Sequence, residues 1–177
     1  MLGDFVKGPV LSDWPTDVAF GIRLHRRVDV LTDSDSAWKA SRDRFPKALR
    51  RFAGIAVDLF YDHLLARDWS RHHAEELAVF TAQAYRDIAG FASLFPPRLE
   101  RIFPMMKEQD WLTSYADVDN TVFALTRMSH RSPRLAPLAQ TATVGLDLVE
   151  DMAADFEDFF PRLVAQVEVE RRGANNG

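Results

Sequence analysis

The sequence has no cysteine, few glycines and no long hydrophobic run. Of its 177 residues, 0 are Cys and 8 are Gly. The missing thiols exclude disulfides, thiolate zinc sites, iron–sulfur clusters and cysteine nucleophiles, and they are typical of a reducing compartment. No stretch approaches the ~18 apolar residues of a membrane span, and the N-terminus lacks the regions of a signal peptide. We therefore expect a cytoplasmic protein without a membrane partner, in which His, Asp and Glu would hold any metal.

Several common functional motifs are also missing. The sequence contains no Gly-x-Gly-x-x-Gly, no phosphate-binding P-loop and no Gly-x-Ser-x-Gly pattern, so dinucleotide, NTPase and serine-hydrolase functions lack support. The net charge of −4 argues against general nucleic-acid binding. The basic residues nevertheless cluster at Arg23, Arg26 and Arg27, and again between Lys39 and Arg51. This cluster is either a solvated helix face or a patch for an acidic partner.

The patterning predicts an all-α single domain of about six to eight helices. With 47% hydrophobic and 27% charged residues, the chain has the composition of one globular domain, which we place at residues 1–170, followed by a disordered tail at 171–177. Apolar residues recur every three or four positions, and no segment alternates as a strand would. The predicted helices cover residues 17–31, about 36 onward, 46–69, 71–94, 98–106, 118–131 and 135–167, the last bent or broken near Pro161.

Two of these helices carry acidic and histidine side chains on faces that should be apolar. His25 and Asp29 are four residues apart, with Asp33 one turn beyond, and Asp58 and Asp62 have the same spacing. Because an unpaired buried carboxylate is costly, these groups should face a cation, a cleft or each other. A hard divalent ion would satisfy them. The alternative is an ordinary network of ion pairs with nearby arginines.

Three ordered blocks of the sequence resemble the motifs of the acyl carrier protein phosphodiesterase family. They are residues 3–8 (GDFVKG), 21–33 (GIRLHRRVDVLTD) and 58–69 (DLFYDHLLARDW). The resemblance implies an all-helical relative of the HD-type metal-dependent phosphohydrolases. It also implies the reaction: hydrolysis of the phosphodiester that joins 4′-phosphopantetheine to a serine of holo-acyl carrier protein, with Mn²⁺, or else Mg²⁺ or Fe²⁺, as the cofactor.

The resemblance also assigns roles to residues. It implies metal or metal-adjacent positions, groups that orient an imidazole or a water, and cations for the phosphate or for the acidic carrier. The metal positions are Asp4, His25, Asp62 and His63, the orienting groups are Asp29, Asp33 and Asp58, and the cations are Arg23, Arg26, Arg27 and Lys7. His63 is further expected to protonate the departing serine oxygen.

The beginning of the chain departs from the family pattern. Family members carry an additional segment with a Leu-Ala-His motif before the Gly-Asp-Phe block, whereas this sequence starts at Met1. We expect that this sequence is a shortened version of an active enzyme. The alternatives are a truncation or a member that has lost activity. Two other functions stay open: a metal-dependent phosphohydrolase acting on a nucleotide or another phosphoester, and a non-catalytic domain that binds the carrier protein.

Overall fold

The architecture is all-helical, as predicted. The computed structural model describes residues 2–6, 8 and 14–175, apart from the side chains of residues 2, 4, 174 and 175. Within these residues there is no strand, and seven α-helices are nine residues or longer. The α-helices are α1 (Leu2–Phe5), α2 (Thr16–Ser34), α3 (Ser36–Arg44), α4 (Arg50–Arg67), α5 (Trp69–His72), α6 (Leu77–Ala89), α7 (Pro97–Glu108), α8 (Trp111–Ser114), α9 (Val118–Ser129) and α10 (Leu138–Asn175), with short 3-10 helices at Ala92–Leu94 and Pro133–Leu135.

Two of the predicted boundaries were wrong. The expected tail is helical as far as Asn175, where an ion pair between Arg172 and Glu168 spans one turn at 3.0 Å. The expected helix 71–94 is interrupted before Leu77, because the Trp69 indole donates to the carbonyl of Glu75 at 2.7 Å and closes a turn there. Helix α10 passes through Pro161 without breaking.

The long helix α10 forms the centre of the bundle. It packs against α3, α4 and α9, and the main core lies between these helices. Gly145 of α10 lies against the ring of Phe60 on α4, so closely that a Cβ atom at position 145 would overlap the ring. Phe60 has no exposed surface. The absence of a side chain at Gly145 therefore sets how closely α4 approaches α10.

Helix α3 is fixed at both ends. Asp35 caps its N-terminus by accepting a hydrogen bond from the Ala37 amide at 2.8 Å, and it also pairs with Arg162 of α10 at 3.0 Å. Burial opposes the charge of Asp35, but these hydrogen bonds outweigh burial and hold its pKa below the usual value. The C-terminal residue of the helix, Arg44, pairs with Asp155 of α10 at 2.9 Å. Both ends of α3 are thus tied to α10.

A second, smaller core lies between α6 and α7. It contains Tyr85 and Phe103, and Phe5 of α1 packs against its edge. The guanidinium of Arg98 lies 5.6 Å from the centre of the Phe5 ring. Helix α1 thus touches both α2 and α7. Among the helices that the structure describes, none combines the length and the apolar character needed to span a membrane.

Candidate active site

An open cleft of about 470 Å³ lies between α2, α4 and the second half of α10. Helices α2 and α4 contribute all of its carboxylates, and α10 contributes only apolar side chains. We call the four carboxylates Asp29, Asp33, Asp58 and Asp62 the carboxylate cluster, and the four apolar residues Phe156, Phe159, Phe160 and Leu163 the apolar wall.

Helical spacing explains why the carboxylates meet. Asp29 and Asp33 lie one turn apart on α2, and Asp58 and Asp62 lie one turn apart on α4. Each pair therefore projects from one face of its helix, and both faces line the same cleft. The sequence predicted each pair, and the structure brings the two pairs together.

Asp58 has a raised pKa. Its side chain keeps exposed surface toward the cleft, but the protein surrounds it on the other sides. This burial is the main reason that the pKa of Asp58 is raised to about 6, and the charges of Asp33 and Asp29 raise it further. The hydrogen bond from the Trp38 indole lowers the pKa and only partly offsets these effects. Asp58 therefore ionises less readily than an ordinary aspartate.

His25 lies beside this cluster on α2. Its Nε2 is 3.7 Å from Oδ2 of Asp29, one turn along the helix. The backbone of α1 lies on the other side of the ring: a Cβ atom added at Gly3 would overlap the imidazole. Arg26 holds the same segment by donating to the carbonyl of Val6 at 2.8 Å. The first and second motif blocks therefore meet at His25.

The structure does not bring His63 to the cleft. His63 is 4% exposed, and its Nδ1 is 2.8 Å from the carbonyl oxygen of Tyr115. Successive residues of a helix point about a quarter turn apart, so Asp62 can face the cleft while His63 faces the interior. The expected role of His63 as a proton donor in the cleft is not supported by this position.

Three of the predicted cations, Arg23, Arg26 and Arg27, are absent from the described lining of the cleft. Arg26 is engaged with Val6, and Arg27 pairs with Glu170 near the end of α10 at 2.8 Å. Arg23 is exposed on α2. The lining of the cleft, as far as the structure describes the chain, includes no Lys or Arg. Lys7 and the side chain of Asp4 lie outside the described residues.

Sequence reasoning missed the apolar wall and Trp38. Phe156, Phe159 and Phe160 recur at the spacing of one helix face, which by itself indicates only a core contact. Trp38 is 5% exposed on α3, and its Nε1 donates to Oδ1 of Asp58 at 2.9 Å. No local pattern signals this contact, because the two residues belong to different helices.

The chemistry of the carboxylate cluster fits a hard divalent cation, because carboxylate oxygens are the donors that Mg²⁺ and Mn²⁺ prefer. The pKa of Asp58 is raised mainly by burial and further by the charges of Asp33 and Asp29, and a nearby cation would counter both effects. Among the side chains that the structure describes, no three His, Asp or Glu converge closely enough to form a ready-made metal shell. A bound ion would have to draw the carboxylates together.

Comparison with known proteins gives a consistent family. Residues 1–163 match the family model described as "Acyl carrier protein phosphodiesterase". Proteins named acyl carrier protein phosphodiesterase from Salmonella paratyphi A, Salmonella dublin and Salmonella agona are 34% identical to this chain over 168 residues. Each match covers 94% of this chain and 86% of the relative. No solved structure matches the chain, so the likeness to HD-type folds stays a prediction.

Proposed function

Because the chain belongs to the acyl carrier protein phosphodiesterase family, we propose that it hydrolyses holo-acyl carrier protein in the cleft between α2, α4 and α10. In this reaction, water adds to phosphorus and the bond from phosphorus to the serine oxygen breaks. The serine oxygen takes up a proton, and the products are apo-carrier and 4′-phosphopantetheine. The reaction is inferred from membership of the family, and the cleft is where we propose that it takes place.

The composition of the cleft walls supports this location. The substrate has a charged phosphodiester at one end and a long, largely uncharged pantetheine arm beyond it. The carboxylate cluster and the apolar wall line the same cleft of about 470 Å³. An apolar wall can bind the arm and exclude water from it, while polar groups set the position of the phosphate. The presence of carboxylates and apolar side chains in one cleft is the observation on which the proposal rests.

We further propose that Asp29, Asp33, Asp58 and Asp62 hold a divalent ion, with Mn²⁺ as the first candidate. The substrate phosphodiester is an anion, and the carboxylate cluster would repel it unless a cation lies between them. When bound, such an ion supplies a Lewis acid that offsets charge on the phosphoryl oxygens. We assign to His25, whose Nε2 is 3.7 Å from Oδ2 of Asp29, the role of orienting that carboxylate.

Docking of an acidic carrier needs exposed positive charge. Arg23 and Arg27 are both exposed on α2, one turn apart, and Arg27 keeps exposed surface beside its partner Glu170, whereas Arg26 donates to the N-terminal segment. We propose that Arg23 and Arg27 attract the carrier and help to orient it. Such attraction should weaken as the salt concentration rises.

The test is the intact mass of holo-acyl carrier protein after incubation with the chain and Mn²⁺, with a chelator control. The expected result is loss of the phosphopantetheine mass, prevented by the chelator. A nucleotide that turns over much faster than the carrier would contradict the substrate assignment. Unchanged carrier mass despite measurable carrier binding would favour the non-catalytic alternative.

A further inference from the structure

We infer that Trp38 is a positioning residue for the candidate active site: its indole N–H fixes one oxygen of Asp58 and thereby sets how this carboxylate faces the cleft. This inference rests on the proposed function, because it assumes that Asp58 takes part in binding the ion. The Trp38 side chain is 5% exposed and does not itself line the cleft. It therefore acts through Asp58 and not by touching the substrate.

The contact between Trp38 and Asp58 is direct. Trp38 Nε1 donates to Asp58 Oδ1 at 2.9 Å, a good length for a hydrogen bond to a carboxylate. Among the residues that the structure describes, Trp38 is the only side chain that donates to Asp58. The indole N–H thus fixes Oδ1, and the orientation of the whole carboxylate follows from it.

The neighbouring turn of α4 shows why the indole lies where it does. Gly54 precedes Asp58 by one turn on the same face, and a Cβ atom at position 54 would lie 3.4 Å from Cη2 of Trp38. This is an ordinary van der Waals distance, so the far edge of the indole lies beside this turn of α4. On another side, the guanidinium of Arg42 lies 5.7 Å from the ring centre. These contacts leave the N–H directed at Asp58.

Helix α3 is anchored to α10, so Trp38 can hold Asp58 in a defined position. Its N-cap, Asp35, comes three residues before Trp38 and is tied to Arg162 of α10. Asp58 itself lies near Asp29 and Asp33, whose charges oppose its ionisation. Without a donor on the opposite side, an ionised Asp58 would turn away from those carboxylates toward water. The indole N–H holds it in place.

The first test is Trp38→Phe, which keeps an aromatic ring and removes the N–H donor. The matched control is Trp69→Phe, because the Trp69 indole donates to a backbone carbonyl at 2.7 Å and lies away from the cleft. Mn²⁺ binding would be followed by the electron paramagnetic resonance signal of the free ion, alongside kcat and KM for holo-carrier.

For Trp38→Phe we expect Mn²⁺ binding weakened about tenfold, the change that one charged hydrogen bond can cause. We also expect a lower kcat and a KM for the carrier near that of the wild type, since the carrier does not touch Trp38. Trp69→Phe should match the wild type in all three. Wild-type ion affinity and kcat in Trp38→Phe, with the protein folded, would overturn the inference.

A second measurement does not depend on activity or on the folding of Trp38→Phe. The exchange of the Trp38 indole proton with solvent, followed by NMR, should be slow in the wild type and faster in Asp58→Ala, while the Trp69 proton is unchanged. Equal exchange of the Trp38 proton in both proteins would overturn the inference. If the wild type neither binds Mn²⁺ nor cleaves the carrier, the proposed function fails, and the indole exchange still decides whether Trp38 holds Asp58.

Discussion

At the scale of single residues, Asp58 lies where burial and two neighbouring carboxylates oppose its ionisation. Its pKa is raised from 3.8 to about 6. A carboxyl with a raised pKa binds its proton more tightly in the folded protein than in the unfolded chain. Between these two values the folded protein therefore carries more protons, and the contribution of Asp58 to the free energy of unfolding falls as the pH rises.

We predict that Asp58→Asn gains stability relative to the wild type as the pH rises from about 4 to about 6 in the presence of a chelator. Asn removes the charge and keeps an oxygen that can accept from Trp38. Urea unfolding at several pH values measures the difference between the two proteins. Asp87→Asn, on the exposed surface of α6, is the control and should show no such trend. Parallel stability profiles for Asp58→Asn and the wild type would contradict the prediction.

Arg26 and Arg27 are neighbours in sequence, but their side chains make different contacts. Arg26 donates to the backbone of Val6, whereas Arg27 forms an exposed pair with Glu170. We predict that Arg26→Gln increases amide hydrogen exchange over residues 2–6, because it removes a charged hydrogen bond of about 1.5–3 kcal/mol. Arg27→Gln should leave that exchange unchanged, since exposed ion pairs contribute little. Equal exchange in the two variants would refute this assignment of Arg26.

At the scale of helices, the packing of α4 on α10 depends on a missing side chain. A Cβ atom at Gly145 would overlap the buried ring of Phe60, so one of the two helices must move to admit it. Gly21 of α2, by contrast, has nothing within 4 Å of its Cβ position. The same substitution should thus have opposite effects at these two positions.

We predict that Gly145→Ala lowers the free energy of unfolding by about 1–3 kcal/mol, the usual cost of overpacking a core. Gly21→Ala should raise it by about 0.5–1 kcal/mol, because alanine is the better helix former at an uncrowded site. Denaturant unfolding of both variants gives the comparison. Similar shifts of the same sign would show that the close approach of α4 and α10 is not what Gly145 permits.

At the scale of the whole molecule, the carboxylate cluster should couple ion binding to folding. The cluster joins α2 to α4, so an ion held there would bind the folded protein and not the unfolded chain. An ion at 100 times its Kd then stabilises the fold by about 2.7 kcal/mol. We predict that Mn²⁺ raises the Tm of the wild type and that the double variant Asp33→Asn, Asp62→Asn largely loses this increase. An equal increase in both proteins would place the ion elsewhere.

The sequence predicted parts of this molecule unequally. The all-α class and both aspartate pairs followed from helical periodicity. This periodicity can be recognised in the sequence because it involves only residues three or four positions apart. The orientation of His63 toward Tyr115 and the contact between Trp38 and Asp58 depend on how separate helices pack, which no spacing encodes. Arg26 shows the same limit: its charge suggested a phosphate contact, but packing gave it the carbonyl of Val6.

We propose that holo-acyl carrier protein is cleaved at the carboxylate cluster. The most direct measurement is the rate of phosphopantetheine release, by intact mass of the carrier, for the wild type, Asp62→Asn and the surface control Asp87→Asn, each with Mn²⁺. We predict that Asp62→Asn is folded and nearly inactive, while Asp87→Asn cleaves at the wild-type rate. Wild-type cleavage by Asp62→Asn would contradict the claim and move the reaction out of this cleft.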